Sequence, residues 1–163
     1  MKICALTDVV PTNLWDASEA YLHALLSAFA ASGHQVTTLS ENVALWARET
    51  HDEVSYLPVT VSSAYPTLAA LDGDILISHA EPGRHGHRYA DYLRMTHVTV
   101  IPDVSSESAN MIKNGADLVL FANSEVAAAF DEDVESEYMI LSDVDDCDVI
   151  TKVLKIAEKN VAV

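Results

Sequence analysis

Ser18-Glu-Ala-Tyr-Leu-His-Ala-Leu-Leu-Ser-Ala-Phe-Ala-Ala-Ser-Gly-His-Gln-Val-Thr-Thr-Leu39, read together with Lys2-Ile-Cys-Ala-Leu-Thr7 before it, decides the fold. Lys2 to Thr7 is a short apolar run that reads as a buried strand. Pro11 and Asn13 mark a turn after it. Asp16 and Glu19, three residues apart, resemble a helix-opening capping box. Leu22, Leu25, Leu26 and Phe29 then form one apolar stripe at helical spacing. Gly33 is placed to end that helix in a left-handed cap, and Val36 to Leu39 is the next strand. A strand, a helix and a second strand at this spacing make a parallel unit, because parallel strands need a crossover between them.

The alternation continues outward. Asn42 to Thr50 reads as a short helix and Val54 to Val61 as a strand broken by Pro58. Ile75-Leu-Ile77 is a buried strand ending at Ser78-His79, and a glycine-bearing loop opens a helix over Tyr89 to Met95. Val98 to Ile101 is a strand, and Ser106 to Asn114 is a helix closed by Gly115. Leu118 to Phe121 is a strand, followed by a helix capped by Ser124 and running through Phe130. Tyr138 to Leu141 is the last strand and Val149 to Lys159 the last helix. Strands alternating with helices predict one three-layer α/β domain with a mostly parallel sheet covered on both faces.

Composition agrees. The chain has 163 residues, with 25 Asp and Glu against 9 Lys and Arg and a formal charge of -16, and 50% of it is hydrophobic. That length suits one domain over residues 1–163. The apolar fraction is too high for a disordered acidic segment. The charge argues against nucleic acid and anionic membranes as partners, since both recruit cationic faces. No apolar stretch is long enough to span a bilayer, and no signal segment opens the chain. Cys4 and Cys147 do not form a disulfide framework, so the expected location is the cytoplasm.

In sheets of this kind ligands bind beyond the carboxyl ends of the strands. That rule selects Thr7-Asp8, Ser40-Glu41, Ser78-His79, Pro102-Asp103, Asn123-Ser124 and Ser142-Asp143. The segment His79-Ala-Glu-Pro-Gly-Arg-His-Gly-His-Arg88 adds an expected anion site of Arg84, His85, His87 and Arg88, where glycines allow close approach and a helix begins. No metal is expected. His79-Ala-Glu81 has the H-x-E of zinc deaminases without the P-C-x-x-C pair, and Asp143 to Asp148 lacks the glycine and terminal glutamate of a calcium loop. The phosphate-loop, dinucleotide and nucleophile-elbow motifs are absent, so no cofactor is expected. Trp15 and Trp46 are read as packing residues.

The order of elements resembles glycosyltransferase family 4. Ala30-Ala-Ser-Gly-His-Gln-Val-Thr-Thr-Leu39 is similar to its "A-x-x-G-H-x-V-T-x-L". Asp72-Gly-Asp-Ile-Leu-Ile-Ser-His79 resembles its acidic strand ending in His, and Ala116-Asp-Leu-Val-Leu-Phe-Ala-Asn-Ser-Glu125 resembles its "A-D-x-[IV]-[IV]-x-x-S-E". The resemblance covers roughly residues 1–145 and implies a Rossmann-like fold, a single GT-B half, the amino-terminal, acceptor-binding one. Val144-Asp145 resembles the link to the nucleotide-sugar-binding half, whose motifs do not occur in this sequence. The glycine pair usual in the first loop is replaced by Asp16-Ala17. By this resemblance Asp8, Asn13, Asn123, Ser124 and Glu125 line the ligand cleft. His79 and Asp103 are the candidate general base or acceptor-orienting groups, since each closes a strand. The implied partner is a donor-binding second chain. Alternatives are a non-catalytic module whose acidic run, Asp131 to Asp148, binds a basic protein, and a homodimer.

Overall fold

The computed structural model describes residues 1–11 and 17–161. An eight-stranded sheet has the order β3-β4-β2-β1-β5-β6-β7-β8. Its strands are β1 Lys2–Thr7, β2 Gln35–Ser40, β3 Glu49–His51, β4 Val54–Pro58, β5 Ile75–Ser78, β6 Thr96–Ile101, β7 Leu118–Phe121 and β8 Glu137–Ile140. Neighbours pair parallel except β3, which runs antiparallel to β4. The expected α/β, Rossmann-like architecture is what the chain forms. The inner strands read as continuous apolar runs because helices cover both their faces; every residue of β6 is buried.

The helices are α1 Ala17–Ala31, α2 Val61–Leu71, α3 Gly86–Leu93, α4 Ser106–Asn114, α5 Ser124–Phe130 and α6 Asp146–Val161, with a 3-10 turn, Glu81–His85, leading into α3. Side-chain alternation along β1 sorts them into layers. Ile3 and Ala5 face the cluster built on Leu22, Leu25, Leu26 and Phe29 of α1 and Val149, Val153 and Ala157 of α6. Cys4 and Leu6 face the other side, against Ala64 and Leu68 of α2 and Ala90 of α3. Farther along that side Met111 and Ile112 of α4 and Val126 and Phe130 of α5 pack on Val119 and Phe121. Burial pushes the Cys4 thiol up to about 12, with Asp74 adding to the effect, so this sulfur packs and does not react.

Four expectations change. Asn42 to Thr50 holds no helix. The Asn42 side chain accepts from Ala44 N at 2.9 Å and donates to the Asp8 carbonyl at 2.8 Å, a local bonding pattern that competes with helix formation. Trp46 is 90% exposed and does not pack, while Trp15 lies outside the described residues, as does Asp16 of the expected capping box. The strand expected to reach Val61 stops at Pro58, and a capping box between Thr60 and Ser63 opens α2, which carries Pro66 inside it. The cap of α5 is Asn123, whose side chain accepts from Val126 N at 3.0 Å, so Ser124 is already helical.

At the β3 edge Asp52 and Glu53 form a two-residue hairpin turn with both φ angles positive, 50° and 65°. The hairpin is tied to α1. His23 Nε2 bonds Asp52 Oδ2 at 2.7 Å, and its Nδ1 bonds the hydroxyl of the fully buried Tyr56.

Candidate functional site

The chain moves from β1 outward to β2 and β4, then returns to add β5 on the other side of β1. The strand order therefore reverses between β1 and β5, and the two strands splay a crevice at their carboxyl ends. A cleft of about 350 Å³ opens there, lined by Asp8, Glu19, His79, Ala80, Asp103 and Glu107 among others. Three residues expected from the sequence are thus brought together. Asp8 follows β1, His79 follows β5, and Asp103 comes two residues after β6.

His79 is only 3% exposed. Its Nδ1 shares a 2.8 Å hydrogen bond with Thr7 Oγ1, which also accepts from Val9 N at 3.2 Å. The ring is oriented by β1, the neighbouring strand across the reversal. Asp103 is exposed and accepts from Ser108 Oγ at 3.0 Å through one carboxylate oxygen. Ser105 caps α4 beneath it, accepting from Ser108 N at 3.1 Å. Helix and loop thereby hold the carboxylate toward the cleft.

Between them the backbone is strained. Ala80 has φ 58° and ψ −165°, a region that suits glycine and costs other residues about 1–3 kcal/mol. Its carbonyl is held by Gly83 N at 3.1 Å. Strain of this kind gathers where a side chain must be aimed, and here the residue aimed is His79.

The electrostatics are one-sided. Asp8, Glu19, Asp103 and Glu107 put four carboxylates on the cleft wall, and among the described residues no Lys or Arg lines it. Nearby, burial raises the Glu41 carboxyl, Arg84 opposes that shift, and Glu81 and Asp8 reinforce it. Arg84 is ion-paired with Glu81 at 2.9 Å. A rim of this sign disfavours a phosphate and suits a ligand rich in hydroxyl donors, which carboxylates accept.

The other expected residues lie elsewhere. Asn123, Ser124 and Glu125 are exposed at the start of α5, where Asn123 caps the helix, and none lines the cleft. Asn13 lies outside the described residues. Arg84 and His85 stay near the carboxyl edge, whereas His87 and Arg88 line a separate groove beside α3. Burial, and then Arg84, Arg88 and His87, lower the pKa of His85. The glycines of this segment serve packing. A Cβ on Gly86 would fall 1.8 Å from Ser78 Oγ, so the helix start is seated on β5.

Sequence reasoning missed one buried pair. Ser78 Oγ shares a 2.8 Å hydrogen bond with His97 Nε2, and His97 N donates to Asp117 Oδ2 at 2.8 Å. Ser78 is 0% exposed, and Asp117 binds the main chain, not the ring, so this is a clamp between β5 and β6 and not a nucleophile system. Burial pushes the His97 pKa down to about 4. Among the described residues no three His, Cys, Asp or Glu side chains converge as a metal site.

No known protein family matches the sequence, and no curated protein matches it. Among solved structures the chain is similar to an alpha-glucosyltransferase in complex with UDP and a 13-mer DNA containing a central A:G mismatch. The TM-score is 0.50 at 17% identity, over 77% of this chain. The likeness spans 38% of that enzyme's chain, and what it shows is the fold, a Rossmann-like α/β body. Among the described residues no helix is long and apolar enough to cross a membrane.

Proposed function

We propose that this domain is the acceptor-binding half of a GT-B glycosyltransferase, with the nucleotide-sugar-binding half supplied from outside these 163 residues. The observation that carries this reading is the cleft at the strand-order reversal, where a buried, oriented His79 stands with Asp8 and Asp103 beside strained Ala80. The fold likeness to an alpha-glucosyltransferase supports it. The acceptor is a polyhydroxylated molecule, since the wall offers carboxylate acceptors and no cation to grip a diphosphate. Asp103 or His79 takes the proton of the acceptor hydroxyl while that oxygen bonds the donor's anomeric carbon and the nucleotide diphosphate leaves. Saturation-transfer NMR against a panel of mono- and disaccharides tests the first step. Binding that is lost in Asp103→Asn and His79→Ala, with the melting curve otherwise retained, is the expected result. Sugars that bind equally to both variants, or none that binds, would defeat the reading.

A second reading rests on the run Asp131 to Asp148, which holds nine carboxylates and no Lys or Arg of its own, and in which Glu137 is ion-paired with Lys152. There the domain docks a basic protein, with affinity falling steeply between low and high salt. A partner interaction insensitive to salt rules this out.

A further inference from the structure

A groove of about 760 Å³ runs beside α3 and opens at the amino-terminal ends of β6 and β7, away from the cleft described above. His87, Arg88 and Arg94 all line it, in a chain whose acidic residues outnumber its cations 25 to 9. Despite that excess, neither Arg88 nor Arg94 enters an ion pair among the described residues, whereas Arg84 and Lys152 do. Two carboxylates, Asp91 and Asp117, share the groove; neither is ion-paired with these arginines, and Asp117 accepts from the main-chain N of His97.

Backbone geometry makes the arrangement more specific. Arg94 caps α3 in the left-handed conformation, φ 56° and ψ 42°, a position that glycine or asparagine takes at lower cost. A long cation stands there where a conformationally cheaper residue would end the helix. The far wall supplies polar partners. Asn160 Nδ2 donates to Thr96 Oγ1 at 3.0 Å, which fixes that amide at the groove. Tyr92, 73% exposed, provides an aromatic face at the rim.

We infer that this groove is a binding site for a phosphate-bearing small molecule, its phosphate held by Arg88 and Arg94 with His87 beside them. Guanidinium groups pair with phosphate oxygens bidentately, so two arginines lining one groove suit a diphosphate or phosphomonoester. The strongly negative remainder of the chain repels an extended polyanion and leaves a small dianion as the ligand. The site stands apart from the sugar cleft and does not depend on that reading.

Isothermal titration calorimetry with inorganic pyrophosphate and, separately, with ADP tests the inference. The two arms distinguish a bare phosphate from a nucleotide whose ring rests on Tyr92, and saturable binding in either supports the site. Arg94→Gly suits the left-handed backbone and keeps the fold, with a melting temperature equal to or above the parent's. Arg88→Ala sits on an exposed helical position and is equally mild. Each is expected to weaken binding by about tenfold or more. Arg48→Ala, which removes the same charge near the β3 edge, is expected to leave binding unchanged. The inference is overturned by an absence of saturable binding at about 10 mM of both probes. It is equally overturned if Arg48→Ala weakens binding as much as the groove variants do.

Discussion

Gly86→Ala places one methyl group where β5 meets the start of α3. The added Cβ lies 1.8 Å from Ser78 Oγ, 2.9 Å from His97 Nε2 and 3.0 Å from Ser78 Cβ. Ser78 cannot rotate away without breaking its 2.8 Å bond to His97. Overpacking of this kind costs about 1–3 kcal/mol. A buried imidazole left without its partner adds about 1–3 kcal/mol. The expected loss is therefore about 4 kcal/mol, a large share of the roughly 5–15 kcal/mol that holds a domain folded. At this chain length that corresponds to a fall in Tm of about 8–16 °C. Urea denaturation followed by circular dichroism reads it directly, with the slope unchanged. Ser78→Ala removes the clashing oxygen, so the double variant is expected to lose less than the two single losses combined, by at least about 1 kcal/mol. A single-variant loss below about 1 kcal/mol, or strict additivity, refutes the reasoning.

Two further outcomes follow from the same region. His97 has its pKa lowered from 6.5 to about 4 in the fold, so between those values the unfolded chain binds a proton that the folded one does not. Its contribution is present above 6.5 and is lost as pH falls toward 4, by up to about 3 kcal/mol. The difference in urea midpoint between the parent and His97→Gln, measured across that range, should narrow on acidification, and a constant difference contradicts it. Ala80→Gly relieves a strain of about 1–3 kcal/mol against a chain-freedom cost of about 0.5–1 kcal/mol. It is thus expected to raise Tm by a few degrees while loosening His79, and a lower Tm would show that the Ala80 backbone is not strained.

The centre of the fold was readable because its physics is local. Leu118 to Phe121 has the bounds read from sequence, and the apolar stripe of α1 is fully buried. Around Asn42 the reading failed because a side chain bonding to its own neighbours leaves no periodic signal. The helix α2 was obscured by Pro66, although Thr60 and Ser63 stood at capping spacing. In the site, Asp8, His79 and Asp103 were found by the strand-end rule alone. Asn123 obeyed the same rule and proved to be a helix cap, since a polar residue at a strand end often serves the next helix. Thr7 with His79, and Ser78 with His97, became visible only once strand register brought residues 72 and 19 positions apart into contact.

The placement of α6 has a consequence for synthesis. On one face of the sheet α3, α4 and α5 lie against strands that flank them in sequence, and α2 packs on the earlier β1, so that layer closes progressively as the chain lengthens. On the other face α1 finds its neighbour only in α6, whose residues 146–161 come last among the described elements. Until that helix emerges, the partners of Val149, Val153 and Ala157 remain wet, and the nascent chain carries an open apolar flank. That face of the sheet therefore closes only after residues 146–161 have been made and α6 packs against α1.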